Sequence, residues 1–465
     1  MIFLLPTGGA EKAAGPLVRE TFSDAYETQL SALNNSRFEL THWQNQPAAR
    51  IAPGKKDQDP YRNAGIFQRV DVFPARTYRI HAEIFIPEKA EFQTYPRIVI
   101  WNKDWETLGE GVLLSDFTRN EWQALDLEFS PSAKDIERIH MGLHSQFAAS
   151  KGGEFYVKKF EIYETPPAGL KAIALKEERP LLIFDEDLPR DRGLRLEDLN
   201  EVAARHRVYI TNRIEPSVNR YLHGILPDLK IFLYWNAEIL YHPSALMKGV
   251  EQHHAEWLVR DSSGRYVEEV KYPGNRIADI TNPEYREWIT DKIAVQVKGQ
   301  DFDGIFLDMV CAYYYKGYYS GELISKSNGK IDGAMWREGF IRMIGLLKKK
   351  TGKRIVGNGI GLYNGDQYVS AKEKVLALIE DLDGVMIEEF AVTQREGKPV
   401  RKKGRSLEND LTMFREIAAR GKAVWVSSPA AGGDASEDVR QFYHETFRHL
   451  SQSKDDVIHE NSFRQ

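Results

Sequence analysis

From about residue 180 to the end of the chain, short apolar runs alternate with segments of helical periodicity. The apolar runs occupy residues 181–185, 208–211, 231–235, 304–308, 355–358, 385–389 and 424–428. The helical segments between them include residues 194–206, 283–297, 334–350 and 407–420. Continuous apolar strands that alternate with helices are typical of parallel strands buried on both faces. Over roughly 280 residues, this pattern predicts a (β/α)₈ barrel of the TIM type.

The eighth strand is the weakest part of this prediction. Few residues follow the run at 424–428, and Val457-Ile458 is a poor strand, so the pattern predicts a barrel that is incomplete or irregular at its last strand. Residues 277–280 supply either an extra strand or the end of the loop after residues 231–235. An open doubly wound sheet is the alternative fold. The lack of a Gly-rich nucleotide turn after the first strand counts against that alternative.

Residues 17–165 show a different period. Between residues 78 and 86 every second side chain is apolar, which places Tyr78, Ile80, Ala82 and Ile84 on one face of a strand. Further short runs at 97–101, 122–129 and 155–163 are separated by clusters of Pro, Gly, Asn and Asp. Many short strands with turn signals predict an antiparallel β-sandwich. We expect residues 166–178 to form a linker and residues 179–465 to form the barrel domain.

Composition limits the classes of function. Lys and Arg total 63 and Asp and Glu total 68, for a net charge of −5, so there is no basic excess to drive nucleic-acid binding. Cys311, the single cysteine, excludes an intramolecular disulfide framework and Cys-rich zinc sites. No stretch approaches the roughly 18–20 apolar residues of a membrane span. The apolar start at residues 1–6 is shorter than a signal core, so a trimmed leader and a plain N-terminus both stay open. We expect a secreted or periplasmic location, with a cytoplasmic one as the alternative.

Two carboxylates end apolar runs of the predicted barrel. Asp308 closes the segment Asp303-Gly-Ile-Phe-Leu-Asp308, and Glu388 holds the equivalent place in Asp383-Gly-Val-Met-Ile-Glu388. Chemistry in barrels takes place at the C-terminal ends of strands, and glycoside hydrolysis needs two facing carboxyl groups. We therefore expect Asp308 to act as nucleophile or base and Glu388 as general acid. Glu389 competes with Glu388, because neighbouring strand residues face opposite ways. A purely structural role for these acids is the alternative.

Other residues near strand ends are candidates for substrate binding, since amides can bind sugar hydroxyls and aromatic rings can stack on apolar sugar faces. These candidates are Asp185, Asn212, Trp235, Asn236, Trp257, Asp279, Tyr313, Asn358 and Glu389. Core packing is the alternative for the aromatic residues, and loop ordering or helix capping is the alternative for Asp185 and Asp279. His253-His254 does not form a His-Glu-x-x-His motif and has no evident third ligand, so we expect neither a metal nor an organic cofactor.

Three segments together resemble a known family. They are His254-Ala-Glu-Trp-Leu-Val-Arg-Asp-Ser-Ser-Gly264, Asp279-Ile-Thr-Asn-Pro-Glu-Tyr-Arg-Glu-Trp288 and Asp303-Gly-Ile-Phe-Leu-Asp308. They are similar to a run in the hypothetical glycosyl hydrolase family fifteen, with a looser similarity to dextranase and α-galactosidase type barrels. The resemblance covers about residues 180–430. It implies a nucleophile at the end of the fourth strand, at Asp308, and an acid/base at the end of the sixth, at Glu388.

The N-terminal half resembles a carbohydrate-binding module of jelly-roll type, with Trp43, Trp101, Trp105 and Trp122 as candidate platform residues and at least one of them in the core. The sequence therefore predicts a glycoside hydrolase that acts on a polysaccharide or oligosaccharide. A non-catalytic carbohydrate-binding protein on the same scaffold and a different barrel chemistry, such as a transglycosylase or lyase, are the alternatives.

Overall fold

The structure is a computed structural model, and it describes most of the chain. The described residues are 16–22, 30–33, 36–54, 63–111, 118–132, 136–148, 153–165, 181–188, 194–212, 216–431 and 435–459. The expected linker at 166–178 and the apolar start at residues 1–6 lie outside these ranges. Contacts between residues divide the chain into two units, Met1–Gly169 and Leu170–Gln465.

The first unit is an antiparallel β-sandwich. Its strands are β1 (Val18–Glu20), β2 (Ser31–Ala32), β3 (Arg37–Trp43), β4 (Gln46–Ala52), β5 (Asn63–Val72), β6 (Thr77–Phe85), β7 (Phe92–Trp101), β8 (Thr107–Gly111), β9 (Trp122–Phe129), β10 (Glu137–Phe147) and β11 (Phe155–Thr165). One sheet has the order β3-β4-β11-β6-β9, with β1 also pairing with β11, and the other has the order β2-β5-β10-β7-β8.

The core of the sandwich follows the alternation in its sequence. Tyr78, Ile80, Ala82 and Ile84 of β6 are all fully buried, while Arg79 between them is exposed. These side chains pack with apolar residues of the second sheet in one cluster. The predicted inward face of this strand is therefore confirmed, because a period of two sends alternate side chains to opposite faces of a sheet.

The second unit is a closed barrel of parallel strands. The barrel strands, in order around the barrel, are β12 (Leu181–Phe184), β13 (His206–Thr211), β14 (Lys230–Asn236), β17 (Gly304–Asp308), β20 (Arg354–Gly357), β21 (Gly384–Ile387), β24 (Ala423–Val426) and β25 (Val457–His459). Three two-stranded ribbons lie in the connections: β15 (Ile239–Leu240) with β16 (Arg276–Ile277), β18 (Ile324–Ser325) with β19 (Gly329–Lys330), and β22 (Val392–Arg395) with β23 (Lys398–Arg401).

Helices separate the barrel strands along the chain. They are α1 (Leu196–Arg205), α2 (Pro216–Ile225), α3 (Ala245–His253), α4 (Pro283–Gly299), α5 (Gly333–Thr351), α6 (Gly365–Ser370), α7 (Lys372–Ile379), α8 (Arg405–Ala418) and α9 (Glu437–Leu450). The start of α4 shows why the sequence begins a helix there. The Asn282 side chain accepts hydrogen bonds from the N–H groups of Glu284 and Tyr285, and Pro283 fills the first turn, where it needs no hydrogen-bond partner. None of the described helices is long and apolar enough to cross a membrane.

An aspartate stands at the N-terminal end of every second strand from the fourth onward and ties that strand to the one before it. The Asp303 carboxylate accepts the N–H of Ile231 at the start of β14 at 2.9 Å. Asp383 does the same for Ile355 of β20 at 2.9 Å. The glycine after Asp303 is needed for packing, because a Cβ at Gly304 would lie 2.3 Å from the Phe232 ring. The two Asp-Gly pairs in the sequence therefore set the register of the barrel.

The eighth strand is short but complete, which corrects the expectation of an incomplete or irregular barrel. β25 pairs in parallel with both β24 and β12 and closes the barrel. The buried Asp456 before it accepts the N–H of Val424 at 2.8 Å and those of Gln452 and Ser453 at 2.9 Å. Three residues are enough for a strand here because side chains anchor it, and such anchors leave no apolar periodicity in the sequence.

The segment at 277–280 belongs to the long connection after β14. Ile277 is the last residue of β16, which pairs with β15 outside the barrel. The other candidate strands all form: each of the seven predicted apolar runs coincides with a barrel strand to within a few residues. Aromatic side chains of β14, β17 and β24 fill the barrel interior. The Phe232 and Trp425 rings meet edge to face at 4.9 Å, and Phe306 lies parallel to Trp425 at 6.1 Å.

Candidate active site

A cavity opens at the C-terminal ends of the barrel strands. Its inner lobe, of about 410 Å³, lies over the barrel interior, and every barrel strand or the residues just after it contribute to its lining. The lining residues are Phe184, Asp185, Glu186, Ile210, Asn212, Tyr234, Tyr241, Phe306, Asp308, Asn358, Met386, Glu388, Ser427 and His459.

A second space, the outer lobe, of about 510 Å³, lies over the connections that follow β14, β17 and β20. It is lined by Tyr234, Asn236, Ile239, Tyr241, Glu269, Lys271, Tyr272, Asp308, Met309, Tyr315, Tyr318, Asn358, Gly359, Ile360, Tyr363, Gln367 and Glu388. The two lobes share Tyr234, Tyr241, Asp308, Asn358 and Glu388. These five residues therefore stand where the inner lobe meets the outer lobe.

Asp308 is the last residue of β17, and three donors converge on its carboxylate. Its Oδ2 accepts from the Tyr234 hydroxyl at 2.6 Å, and its Oδ1 accepts from the Met309 N–H at 2.8 Å and from Asn358 Nδ2 at 3.0 Å. Loss of water around the carboxyl raises the pKa of Asp308, and the three hydrogen bonds oppose that rise because they stabilise the ionised form.

Glu388 follows β21 directly, and its side chain reaches the same amide. Its N–H donates to the Tyr363 carbonyl at 2.9 Å, which fixes the start of the connection. Asn358 Nδ2 donates to Glu388 Oε1 as well as to Asp308. Burial and the nearby charge of Asp308 raise the pKa of Glu388 to about 7. Near neutral pH the Glu388 carboxyl group is therefore able to hold a proton and to release it.

The shared amide limits the distance between the two acids. One nitrogen contacts an oxygen of each carboxyl group, so these two oxygens lie within two hydrogen-bond lengths, about 6 Å, of each other. The carboxyl groups of Asp308 and Glu388 thus face one space from the ends of the fourth and sixth barrel strands.

Backbone contacts hold Asn358 in place. Its N–H donates to the Leu307 carbonyl at 3.1 Å, and its carbonyl accepts the Val310 N–H at 2.7 Å. The next residue, Gly359, has a φ of 150°, and a Cβ there would lie 2.5 Å from the Val310 carbonyl oxygen. The connection after β20 therefore packs backbone to backbone against the connection after β17, and any larger residue at position 359 would move Asn358.

The structure brings several of the predicted site residues to the cavity. Asp308, Glu388 and Asn358 line both lobes, Asp185 and Asn212 line the inner lobe, and Asn236 lines the outer lobe.

Trp235 and Tyr313 do not line either lobe, although the sequence made them candidates. Adjacent residues of a strand point to opposite faces, so Tyr234 faces the cavity in place of Trp235. In the tyrosine-rich connection after β17, Tyr315 and Tyr318 line the outer lobe in place of Tyr313. At both places a tyrosine lines the cavity, one or more residues away from the candidate.

Trp257 and Asp279 are structural residues outside both lobes. Trp257 is buried, and the His254 ring stacks on it at 3.8 Å. Asp279 is fully buried, and its carboxylate accepts the N–H of Thr281 at 3.0 Å and the hydroxyl of Ser325. These contacts order the connection after β14, which was the alternative interpretation of Asp279.

Glu389 also lies outside both lobes. Its carboxylate accepts from Asn364 Nδ2 and from the Thr393 hydroxyl, both at 3.3 Å. Its backbone carbonyl accepts from the Lys402 ammonium group. Of the two neighbouring glutamates, only Glu388 faces the space occupied by Asp308.

Besides the tyrosines that line the two lobes, His459 and Glu238 were also not among the predicted site residues. His459, in the short eighth strand, lines the inner lobe and contacts the Asp187 carboxylate at 2.7 Å and the Ser427 hydroxyl at 2.9 Å. Glu238 is fully buried behind the outer lobe, and the Tyr319 hydroxyl lies 2.9 Å from its Oε1. Burial raises the pKa of Glu238 to about 8. Neither residue ends a clear apolar run, so sequence periodicity gave no signal for them.

The candidate platform residues of the sandwich fall into two clusters. Trp43 stacks on Tyr156 at 4.0 Å, and Trp122 lies 5.5 Å from Phe85. On the other sheet, Trp101 is buried and Trp105 keeps 44% of its surface exposed. Within the described ranges, no group of three or more His, Cys, Asp or Glu side chains is arranged to hold a metal ion.

The closed parallel barrel, with an acid-lined cavity over the C-terminal ends of its strands, defines the class of the second unit as a TIM-type barrel with its site at the usual face of that fold. Residues 223–448 match the sequence profile of the Hypothetical glycosyl hydrolase family 15. This match confirms the resemblance inferred from the sequence, and it supports a carbohydrate-active protein. No curated protein is significantly similar to the chain.

Solved structures to which the chain is similar at low sequence identity include several glycoside hydrolases. The CBM22-1 and GH10 modules of xylanase 10B from Clostridium thermocellum, complexed with xylohexaose, are 10% identical with a TM-score of 0.44, and the match covers 96% of this chain and 90% of that one. Xylanase 10C from Cellvibrio japonicus, in complex with xylopentaose, is 10% identical with a TM-score of 0.33, over 94% and 88% of the two chains. Ega3 from Aspergillus fumigatus, in complex with galactosamine, is 14% identical with a TM-score of 0.35, over 64% and 95%.

Proposed function

We propose that this protein is a retaining glycoside hydrolase in which Asp308 is the nucleophile and Glu388 is the acid/base. The observation that carries the proposal is the single Asn358 amide that contacts both carboxyl groups at the junction of the two lobes. The match of residues 223–448 to a glycosyl hydrolase family supports it.

The different surroundings of the two acids support their different roles. Asp308 accepts three hydrogen bonds, from Tyr234, Met309 and Asn358, and such bonds favour the ionised form that a nucleophile needs. Glu388 has a pKa of about 7, so near neutral pH it can both give and take a proton. Two carboxyl groups that the protein pushes toward different protonation states are the usual arrangement for glycoside cleavage.

The reaction then has two steps. In the first, Asp308 attacks the anomeric carbon, Glu388 gives its proton to the glycosidic oxygen, and the bond to the leaving sugar breaks. In the second, Glu388 takes a proton from water, the water oxygen attacks the anomeric carbon, and the ester bond to Asp308 breaks. The sum is addition of one water molecule across the glycosidic bond, and both acids return to their starting state.

The contact of both acids with one amide is the reason for assigning retention of configuration. Carboxyl groups about 5–5.5 Å apart are typical of retaining enzymes, whereas inverting enzymes keep them about 6.5–9.5 Å apart to hold a water molecule between them. The limit of about 6 Å applies to the two nearest oxygens and not to the centres of the two carboxyl groups, so it accords with the retaining range, and the configuration of the product tests the assignment.

The inner lobe suits a sugar ring. Its floor is apolar, formed by Phe184, Ile210, Phe306 and Met386, and polar groups such as Asn212 stand around it. An apolar floor under a mainly polar rim can contact both the C–H face and the hydroxyl groups of a sugar ring. We propose that the substrate is a polysaccharide or oligosaccharide, and a polymeric substrate supports a location outside the cytoplasm.

Variants at the two acids test the proposal on a panel of polysaccharides. We expect D308N and E388Q to lose release of reducing ends, while E389Q, the matched control on the adjacent residue, keeps wild-type activity. Loss of activity in E389Q alone would overturn the assignment of the acid. Glycan binding by the wild type without any hydrolysis would indicate a binding protein, and longer products would indicate a transglycosylase.

A rescue experiment tests the roles separately. An E388A variant should accept an activated aryl glycoside, because a good leaving group needs no proton, and azide should then speed turnover and give a glycosyl azide of retained configuration. Azide added to D308G should give the opposite configuration. A product of inverted configuration from the wild type, observed by NMR at early times, would refute the retaining mechanism.

A further inference from the structure

Exposed tyrosines surround the outer lobe. Three of its lining residues keep large apolar surfaces in contact with solvent: Tyr241 is 44% exposed, Tyr272 is 54% exposed and Tyr315 is 56% exposed. Exposed aromatic groups that cluster at a concave surface mark a binding site more often than scattered ones do. This cluster is continuous with the junction at which Asp308 and Glu388 lie.

The two most exposed tyrosines stand on connections that are tied to each other. Tyr272 follows β14 in the chain and Tyr315 follows β17. The N–H of Val270 donates to the Tyr318 carbonyl at 3.0 Å, and the N–H of Ser320 donates to the Glu268 carbonyl at 2.9 Å. The two connections therefore form one wall of the outer lobe.

Buried polar contacts stiffen this wall. Glu269 is buried, and its two carboxylate oxygens accept from the Tyr318 hydroxyl at 2.9 Å and from Asn275 Nδ2 at 3.0 Å. Loss of water and the neighbouring Glu269 carboxylate raise the pKa of Tyr318, so its hydroxyl stays protonated as a donor. An aromatic side chain on a fixed backbone loses little conformational entropy when it binds a ligand.

We propose that Tyr272 and Tyr315 form the subsite that binds the leaving-group side of the sugar chain, and that the enzyme consequently acts on oligomers or polymers rather than on single-sugar glycosides. This inference rests on the proposed function. The outer lobe adjoins the inner lobe at Glu388, so a chain that extends past Glu388 into the outer lobe meets the exposed tyrosines.

The chemistry of the outer lobe fits sugars. Tyrosine combines an apolar ring face, on which the C–H face of a pyranose can stack, with a hydroxyl that can bond a sugar hydroxyl. The volume of about 510 Å³ falls within the range of sites that bury ligands larger than a single sugar ring. Lys271 also lines the outer lobe and lies 5.1 Å from the Tyr272 ring, so this wall offers a cation as well as ring faces.

The test compares a substrate that has a sugar leaving group with one that has none. The polymer found with the panel above provides the first, and the glycosyl fluoride of the same sugar provides the second, because fluoride is too small to reach the tyrosines. We expect Y272A and Y315A each to lower kcat/KM on the polymer about tenfold, the usual effect of one lost aromatic contact, and to leave kcat/KM on the fluoride within about twofold.

Controls separate this inference from the proposed function. Y95A removes an exposed tyrosine of the sandwich and should retain wild-type activity on the polymer. Y272W keeps an aromatic face and should lose less activity on the polymer than Y272A. Equal activity of Y272A, Y315A and wild type on the polymer would refute the subsite while leaving the hydrolase intact. An equal loss on polymer and fluoride would also refute it, because that pattern indicates damage to the catalytic residues.

A binding measurement makes the test independent of turnover. In the D308N background, which the proposed function expects to be inactive, calorimetry measures affinity for soluble oligosaccharides of the panel. We expect Y272A and Y315A to weaken that binding about tenfold, and unchanged affinity would refute the subsite even if no hydrolysis were ever found.

Discussion

Replacement of Asn358 by alanine removes an amide that contacts both acids. Asn358 Nδ2 donates to Asp308 Oδ1 at 3.0 Å and to Glu388 Oε1, and both contacts lower the pKa of the carboxyl group that accepts them. In N358A the pKa of Glu388 should rise above its value of about 7, and the pKa of Asp308 should rise further above its ordinary value. The acidic and basic limbs of the pH profile of kcat/KM, which report the pKa values of Asp308 and Glu388, should therefore both move to higher pH.

The expected loss of activity in N358A follows from the hydrogen bonds that remain. A hydrogen bond to a charged group contributes about 1.5–3 kcal/mol. Asp308 keeps its contacts with Tyr234 and Met309, and water replaces part of the lost contact. We therefore expect a net loss of about 1.4–2.8 kcal/mol of transition-state stabilisation, which corresponds to a 10- to 100-fold fall in kcat/KM.

The assay is the pH dependence of kcat/KM for wild type, N358A and a control, N364A. Asn364 also contacts a carboxylate, that of Glu389, but lies outside both lobes. N364A should keep the wild-type limbs, although it loses the N-cap of α6 and should be less stable. If N358A retained both limbs and lost less than twofold in rate, the coupling of the two acids through this amide would be refuted.

Three further perturbations follow from the same contacts. Y234F removes the hydroxyl that donates to Asp308 at 2.6 Å, and steady-state kinetics should show kcat lowered about tenfold or more with little change in KM. An unchanged kcat would contradict a role for Tyr234 in holding the nucleophile. Glu238 has a pKa of about 8 in the folded protein against an ordinary value of 4.5, so its contribution to stability is complete below about pH 4.5 and is lost as pH rises through about 8. The free energy of unfolding of E238Q relative to wild type, measured by urea titration, should therefore increase with pH over this window. A constant difference would contradict a neutral buried Glu238. D456A removes three hydrogen bonds at the start of the eighth strand and should lower the free energy of unfolding by about 3 kcal/mol or more, whereas the neighbouring D455A should cost less than about 1 kcal/mol because its ion pair with Arg354 is exposed to solvent.

The framework of the barrel could be predicted from the sequence because it depends on local patterns. Strands buried on both faces must be apolar along their whole length, so each of the first seven strands leaves a visible run. The Asp-Gly pairs at 303–304 and 383–384 marked the starts of the fourth and sixth strands, and the acids at 308 and 388 marked their ends. The eighth strand could not be predicted in this way, because side-chain contacts of Asp456 and His459 hold it in place and it has no long apolar run.

The candidate site, too, could be predicted from the sequence only in part. Asn358 was a candidate because it ends an apolar run, but its contact with both acids depends on how closely the connection after β20 approaches the connection after β17. Trp235 was the candidate, but Tyr234 faces the cavity, because the apolar pattern predicts the strand and does not indicate which of two adjacent side chains points inward. The exposed tyrosines of the outer lobe lie in long connections, where neither period nor length determines position.

The sequence by itself determined the alternation of strand and helix, the apolar composition of the strands and the two acids at the ends of the fourth and sixth. These features follow from neighbours along the chain, because burial of a strand constrains its own residues. Tertiary structure decided which of two adjacent side chains faces the cavity, how a three-residue strand closes the barrel, and that one amide contacts both acids. Those outcomes depend on residues far apart in the chain, which no local period records.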